Sequence, residues 1–260
     1  MSADIDDRFV DVDFEQDENY VFGDLGVQVF GSSLQDYEGS EPVYTDSEIR
    51  SEIEKIDADG GGLDRLVTRI FNQGREGSCV ANACSQANQI IQAKQFGKDR
   101  VVQLSAISLY KRIGRSAQSG AMVSDGLAEM RSRGILPLDT PENRTKYGDV
   151  VMPNTGFSQR YPSGWEQTAK QFAGVEALIV RSVNALLSAL INGHPVVVGR
   201  QGHSICYTRP MVRNGRRVVK YANSWGDWGD EGYGYDSESQ IRQSASWAFA
   251  LRTVVNRPIA

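Results

Sequence analysis

Helical periodicity and strand signals are segregated along this 260-residue chain, and that separation constrains the fold more than any other feature. From Cys79 to Phe96, residues Val80, Ala83, Cys84, Ala87, Ile90, Ile91 and Lys94 fall largely on one face, and Gly97 is placed to stop a helix. "LSAISLYKRIG" and "DGLAEMRSRGI" read as two more helices, each ending near a Gly, so residues 79 to about 135 are expected to be mainly helical. After Pro137 the chain is loop-rich, with Pro141, Pro153 and Pro162 close behind. "VEALIVRSVNALLSALINGHP" predicts a strand, a helix and a Gly-Pro stop; "PVVVGR", "HSICYTRP", "RRVVKYAN" and "SWAFALRTVV" read as strands. The Asn214-Gly215 pair between two of these runs is a hairpin signal. Helices first and strands later is the order of an α+β fold. The length suits one large domain or two lobes sharing a core.

The first 62 residues have a different texture. They carry 18 Asp/Glu against 3 Lys/Arg, net −15, while the remainder holds 15 and 25, net +10. Isolated aromatics (Phe9, Phe14, Tyr20, Phe22, Phe30) punctuate the run, which closes on "DADGGG", a linker or hinge signal. Residues 1–62 are therefore expected to be an acidic extension that lies on the basic body or on a partner, or a solvated leader. A calcium loop there is rejected, because Gly61 and Thr68 stand where ligands should be. No secretory leader is expected in the acidic first residues, and no run approaches the ~20 apolar residues of a membrane span. No membrane or nucleic-acid partner is expected; the basic "RNGRR" reads as a solvated hairpin tip.

The chemistry is concentrated in few residues. There are three cysteines and two histidines. Cys79, Cys84 and Cys206 fit no zinc pattern or disulfide framework, which favours a reducing, cytoplasmic setting and no metal or other cofactor. Cys84 and Cys206 suit small buried positions. Cys79 follows Gly77-Ser78 where a helix is expected to begin, a place that lowers a thiol pKa and suits a nucleophile. Such a thiol needs a base. His194 lies between a helix end and a strand and reads as structural; His203 begins a strand after a glycine. Asn223, at the end of a strand-like run, is available to orient an imidazole. His203 and Asn223 lie 124 and 144 residues beyond Cys79.

Three segments together carry a resemblance. "NQGREGSCVANA", "GHSI" and "NSWGDWGDEGY" are similar, in order and spacing, to the Cys, His and Asn segments of the papain-like cysteine peptidases. The chain looks closest to their divergent bacterial and viral branch without disulfides, the xylellain-like one. "SGAMVSDGLAEMRSRGI" looks like that branch's intervening helix, and the likeness covers roughly residues 63 to 255. It implies a two-lobe fold: a helical lobe (about 63–140) with Cys79 and an antiparallel β-barrel lobe (about 141–260) with His203 and Asn223. It implies Cys79 as nucleophile, His203 as general base and then acid, and Asn223 as the orienting group. Gln73 and the Cys79 backbone amide would stabilise the oxyanion, and Trp225 would shield the His–Asn hydrogen bond. Gly120 and Ala121 would pair with a peptide or protein substrate. The chain departs from the family at Val80, where an aromatic is usual, and at Glu76, where a disulfide cysteine is usual. The segment after Asn223 is one residue shorter. The expected activity is hydrolysis of peptide bonds through an acyl-enzyme, with residues 1–62 as a pro-segment or docking arm. Alternatives are a non-catalytic papain-fold structural protein, such as a virion component, and an amine-accepting transamidase.

Overall fold

The computed structural model describes residues 7–14, 23–24, 34–245 and 248–254. Tyr20, Phe22 and Phe30 lie outside the described residues, as do the first two residues of the run "SWAFALRTVV". The helix expected from residue 79 is α2, Cys79–Phe96, and it ends at Gly97 with φ 96°. The sequence pattern predicts one buried face, yet every side chain from Cys79 to Ala93 is buried. The reason is its place between α3 (Ala106–Ile113) and α4 (Val123–Ser132) on one side and the strands of the second lobe on the other. Its polar residues find partners inside. Gln92 and Gln89 accept from the Val102 and Leu104 amides at 3.0 and 2.9 Å. Asn82 donates to the Ser78 carbonyl at 2.9 Å.

The loop-rich stretch hides two short helices, α5 (Pro141–Tyr147) and α6 (Trp165–Lys170). Thr140 caps α5 by accepting from the Asn143 amide, and Pro141 occupies a first-turn position where its missing N–H costs nothing. Both helices pack with the helical part: Asn143 donates to the Gln103 and Leu138 carbonyls, and Tyr161 to the Ser108 carbonyl.

Strand structure begins at β1 (Val175–Val180), followed by α7 (Val183–Ile191). β2 (Val196–Arg200), β3 (His203–Arg213) and β4 (Arg216–Ala222) follow. β5 (Tyr233–Ser237), α8 (Glu238–Ser244) and β6 (Ala248–Val254) complete the order. The strands form one antiparallel sheet in the order β1-β6-β2-β3-β4-β5. The expected barrel is this six-stranded sheet, whose end strands β1 and β5 are not paired to each other. Both tight hairpins use left-handed pairs, Gln201-Gly202 and Asn214-Gly215, which match the twist of the flanking strands.

The amino-terminal stretch is built into this body. Its helix α1 (Asp46–Ala58) starts with a reciprocal capping box between Thr45 and Glu48. Ile49 and Ile53 of α1 are fully buried, and Phe14 and Tyr37 belong to the same apolar cluster as α2 and the sheet. Acidic side chains here meet basic ones of the β lobe: Asp36–Arg181 at 2.8 Å, Glu41–Arg252 at 3.1 Å and Asp46–Arg217 at 2.8 Å. Such partly exposed pairs add little each, whereas burying an isoleucine is worth roughly 1.5–3 kcal/mol. Ile53→Ala is therefore expected to lower the unfolding free energy by about 2–5 kcal/mol. Lys55→Ala, which removes the exposed pair to Glu52, should change it by under about 1 kcal/mol. Urea denaturation at pH 7 checks both.

Candidate active site

Cys79 is the first residue of α2, and Ser78 precedes it as N-cap. The loop that delivers it is pinned on both sides. Asn72 Oδ1 accepts from the Gly74 amide at 2.9 Å, closing a tight turn. The Gln73 amide donates to the Ser224 carbonyl at 2.8 Å, and Ser224 Oγ donates to Gln73 Oε1 at 2.6 Å. Gln73 Nε2 donates to the Glu76 carbonyl at 2.8 Å. The Glu76 carboxylate accepts from the Gly156 and Phe157 amides at 3.0 and 2.8 Å. A charged acceptor on two backbone donors makes strong hydrogen bonds, so Glu76 braces the loop before Cys79.

His203 opens β3 and Asn223 follows β4, so adjacent strands present them together. His203 Nε2 lies 2.8 Å from Asn223 Oδ1. The Ser224 amide also donates to Asn223 Oδ1, at 2.8 Å, which fixes the orientation of the side-chain amide. Oδ1 can only accept, so Nε2 carries the proton and Nδ1 of the neutral ring is the basic nitrogen. Trp225 is 2% exposed, and its ring lies tilted 30° over the imidazole with centroids 4.6 Å apart. Cys79, Gln73, His203, Asn223 and Trp225 are all buried in this seam between the helices and the sheet. His194 is placed elsewhere, after α7 and beside Tyr37. All three cysteines are free. Among the described residues no cluster of His, Cys, Asp or Glu could hold a metal, and no helix is long and apolar enough to cross a membrane.

Gly120 and Ala121 are occupied by the chain itself. The Ala121 amide donates to the Gly23 carbonyl at 2.6 Å, and the Gly23 and Asp24 amides donate to the Gly202 carbonyl at 3.0 and 2.8 Å. Gly23 thus bridges from the Gly120–Ala121 strip to the turn before His203. Only glycine fits: a Cβ on Gly23 would lie 2.0 Å from the Gly77 carbonyl oxygen, and one on Gly120 would lie 2.5 Å from the Gly23 oxygen.

This cover reverses the expected electrostatics. A helix start and a nearby imidazolium would lower the Cys79 pKa, but burial pushes the thiol up to about 12, and Asp24 adds to the effect. Backbone hydrogen bonds from Ser204, Gly23 and Val80 oppose it without prevailing. Burial also lowers His203 to about 4, against the bond to Asn223, and the Arg200 charge adds to the lowering. At neutral pH the pair is therefore thiol and neutral imidazole.

The residues that escaped the sequence reading are Gly23, Phe14, Ser224 and Arg200. Phe14 had a signal, since Val10-Asp11-Val12-Asp13-Phe14 alternates with the period of a strand. Gly23 had none, because its role depends on which backbones it lies between.

No family model and no curated protein matches the chain. Solved structures do. Xylellain, a cysteine protease from Xylella fastidiosa, superposes with a TM-score of 0.62 at 19% identity, over 91% of this chain and 96% of that one. The fold is papain-like. Digestive procathepsin L2 of the Tenebrio molitor larval midgut gives 0.62 at 16% identity, over 91% and 79% of the two chains. Procathepsin L 3 from the same source gives 0.57 at 17% identity over 72% of this chain, and is matched over 66% of its own length.

The two histidines set a pH dependence. His194, like His203, is lowered from 6.5 to about 4, by burial and then by Lys94 and Arg252. Between pH 6.5 and 4 the unfolded chain binds protons that the folded one refuses, so this stability is present above pH 6.5 and lost as pH falls. Asp236, raised by burial from 3.8 to about 6, acts with the opposite sign over the lower part of that window. Two imidazoles outweigh one carboxyl, so urea midpoints should fall from pH 7 to pH 4.5. Both imidazoles should titrate by NMR near pH 4 rather than 6.5.

Proposed function

We propose that this chain is a latent papain-like cysteine peptidase. The observation that carries the reading is the His203–Asn223 pair, with its tautomer set by the Ser224 amide, in one seam with a cysteine at a helix start. With the cleft open, His203 Nδ1 would take the Cys79 proton and the thiolate would attack a peptide carbonyl. Gln73 Nε2 and the Cys79 amide would hold the developing oxyanion. His203 would give the proton to the leaving amine, and water would then cleave the thioester by the same route in reverse roles. Losing one oxyanion donor costs roughly 10²–10³ in turnover, the range expected for Gln73→Ala. Peptide or protein is the substrate class, because Gly120–Ala121 offers backbone pairing to an extended chain. Three free thiols suit a reducing compartment.

Latency follows from Gly23. In this reading the extension of residues 1–62 divides. The crossing at Gly23 is the inhibitory part, whereas Tyr37, Ile49 and Ile53 are core residues and stay with the body. The removable pro-segment then ends before residue 34.

An active-site-directed epoxide tests this at neutral pH, with mass analysis of the intact protein. The full chain should take no adduct at Cys79. Gly23→Ala, which forces the crossing away from Gly77, should label Cys79 at least tenfold faster, and His203→Ala in that background should abolish the labelling. Absence of an adduct in a folded Gly23→Ala protein would instead support a papain-fold structural protein whose cleft is permanently filled.

A further inference from the structure

Two separate pieces of the amino-terminal stretch reach the site, and they make different contacts. Gly23 lies across the cleft, bonded to the Ala121 and Gly202 backbones and, through its own backbone, to the Cys79 thiol. Residues 8–14 instead add to the outer edge of β5. Val10 bridges Tyr235 in parallel, and the Asp11 amide donates to the Tyr235 carbonyl at 2.9 Å. The Ser237 amide donates to Asp11 Oδ1 at 2.7 Å. Phe9 meets Trp228 edge-on at 5.8 Å. Arg200 Nη2 donates to the Val12 carbonyl at 2.6 Å.

This segment, which opens with a 3-10 turn at Asp7–Phe9 and makes an isolated bridge at Val10, ends by inserting Phe14, fully buried, into the aromatic cluster around the imidazole. Its ring stands edge-on to His203 at 4.8 Å, to Trp225 at 5.3 Å and to Tyr221 at 6.1 Å. The Arg200 guanidinium lies over the same ring at 4.6 Å. Arg200 is also the ladder partner of His203 across the β2–β3 turn. Phe14 therefore fills the space among a buried cation, the imidazole and the indole that covers it. The cation is held from behind by Asp236 at 3.0 Å, and Tyr207 donates to that carboxylate at 2.6 Å.

We infer that Phe14 is a positioning residue for His203, and that residues 8–14 are a lasting edge segment of the lobe that carries His203 rather than part of a removable cover. The inference rests on the reading of His203 as the catalytic base. Trp225 closes one side of the imidazole and Phe14 another. Together they keep water from the His203–Asn223 hydrogen bond and hold the ring at the angle that bond requires. Cutting the chain between Phe14 and Gly23 would leave an amino-terminal peptide bound to the body, so the mature protein would consist of two associated chains.

The test needs no catalytic activity. The full chain has two histidines, so its imidazole NMR spectrum resolves His203, with His194 as an internal reference. Around the cluster the charged and titratable groups are Cys79 of α2, Arg200 of β2, Tyr207 of β3, Tyr221 of β4, Asp236 of β5 and Asp11; the Phe14 variants alter none of them, and losing the Asp11 carboxylate would by itself lower the His203 midpoint, not raise it. Phe14→Ala should raise the His203 titration midpoint by at least one pH unit and leave His194 unchanged; Phe14→Leu, which refills most of the space, should restore it to within half a unit. Asp11→Pro is a second route. It removes the N–H given to Tyr235, and proline cannot adopt the φ of 51° found at Asp11. It should move His203 in the same direction. Folded Phe14→Ala or Asp11→Pro protein with an unmoved His203 midpoint overturns the inference. So does fast hydrogen exchange at the Asp11 and Ser237 amides of the wild-type chain, whatever the variants do. Epoxide labelling reports separately on the peptidase reading: a failure there with a shifted His203 midpoint leaves the positioning role standing.

Discussion

Gln73 is held by the opposite lobe, and the geometry of the site depends on that grip. Its backbone amide and its side-chain oxygen both bond to Ser224, the residue whose own amide orients Asn223. One serine thus holds Gln73 and orients Asn223 together. The Gly226 amide adds a third link, to the Phe71 carbonyl at 3.0 Å. Gln73 and Ser224 are buried, so breaking either bond between them would leave polar groups without water. The loop before Cys79 is consequently fixed from the strand side and, through Glu76, from the loop at Gly156–Phe157.

The same residues can be inert or reactive according to what covers them. A thiol at a helix start has help from the helix dipole of roughly 0.3–1 kcal/mol, or up to about 2 when partly buried. Complete burial acts in the opposite direction and is larger, and Cys79 sits on that side of the balance. His203 shows the complementary shift. The Gly23 crossing bears on Cys79, which its backbone bonds directly, whereas Phe14 and Trp225 pack on the imidazole.

The cover lies close against backbone: a Cβ on Gly23 would meet the Gly77 carbonyl and one on Gly120 would meet the Gly23 carbonyl, while Ala121 and Gly202 bond it through their own backbones. A side chain at Gly23 or Gly120 would hold the crossing away from the cleft. Its hold on the site is therefore a matter of backbone approach, unlike that of Phe14, which works by volume and aromatic contact.

The sequence by itself determined the kind of fold. Helix periodicity from Cys79, the Asn214-Gly215 turn and the strand runs around His203 depend on local rules, so they were readable without coordinates. The spacing of Cys79, His203 and Asn223 carried the resemblance and hence the two-lobe arrangement. Other features were legible but weakly marked: the Thr45–Glu48 capping box that starts α1, the Thr140-Pro141 start of α5, and the alternation that ends in Phe14. Tertiary structure alone decided three things. It made α2 buried on all sides, because two lobes close over one helix. It tied an acidic stretch into the core, because Tyr37, Ile49 and Ile53 find apolar partners far along the chain. It reversed the ionisation expected of Cys79 and His203, because a pKa answers to the solvent left around a group, and that depended on where Gly23 came to rest against the thiol and Phe14 and Trp225 against the imidazole.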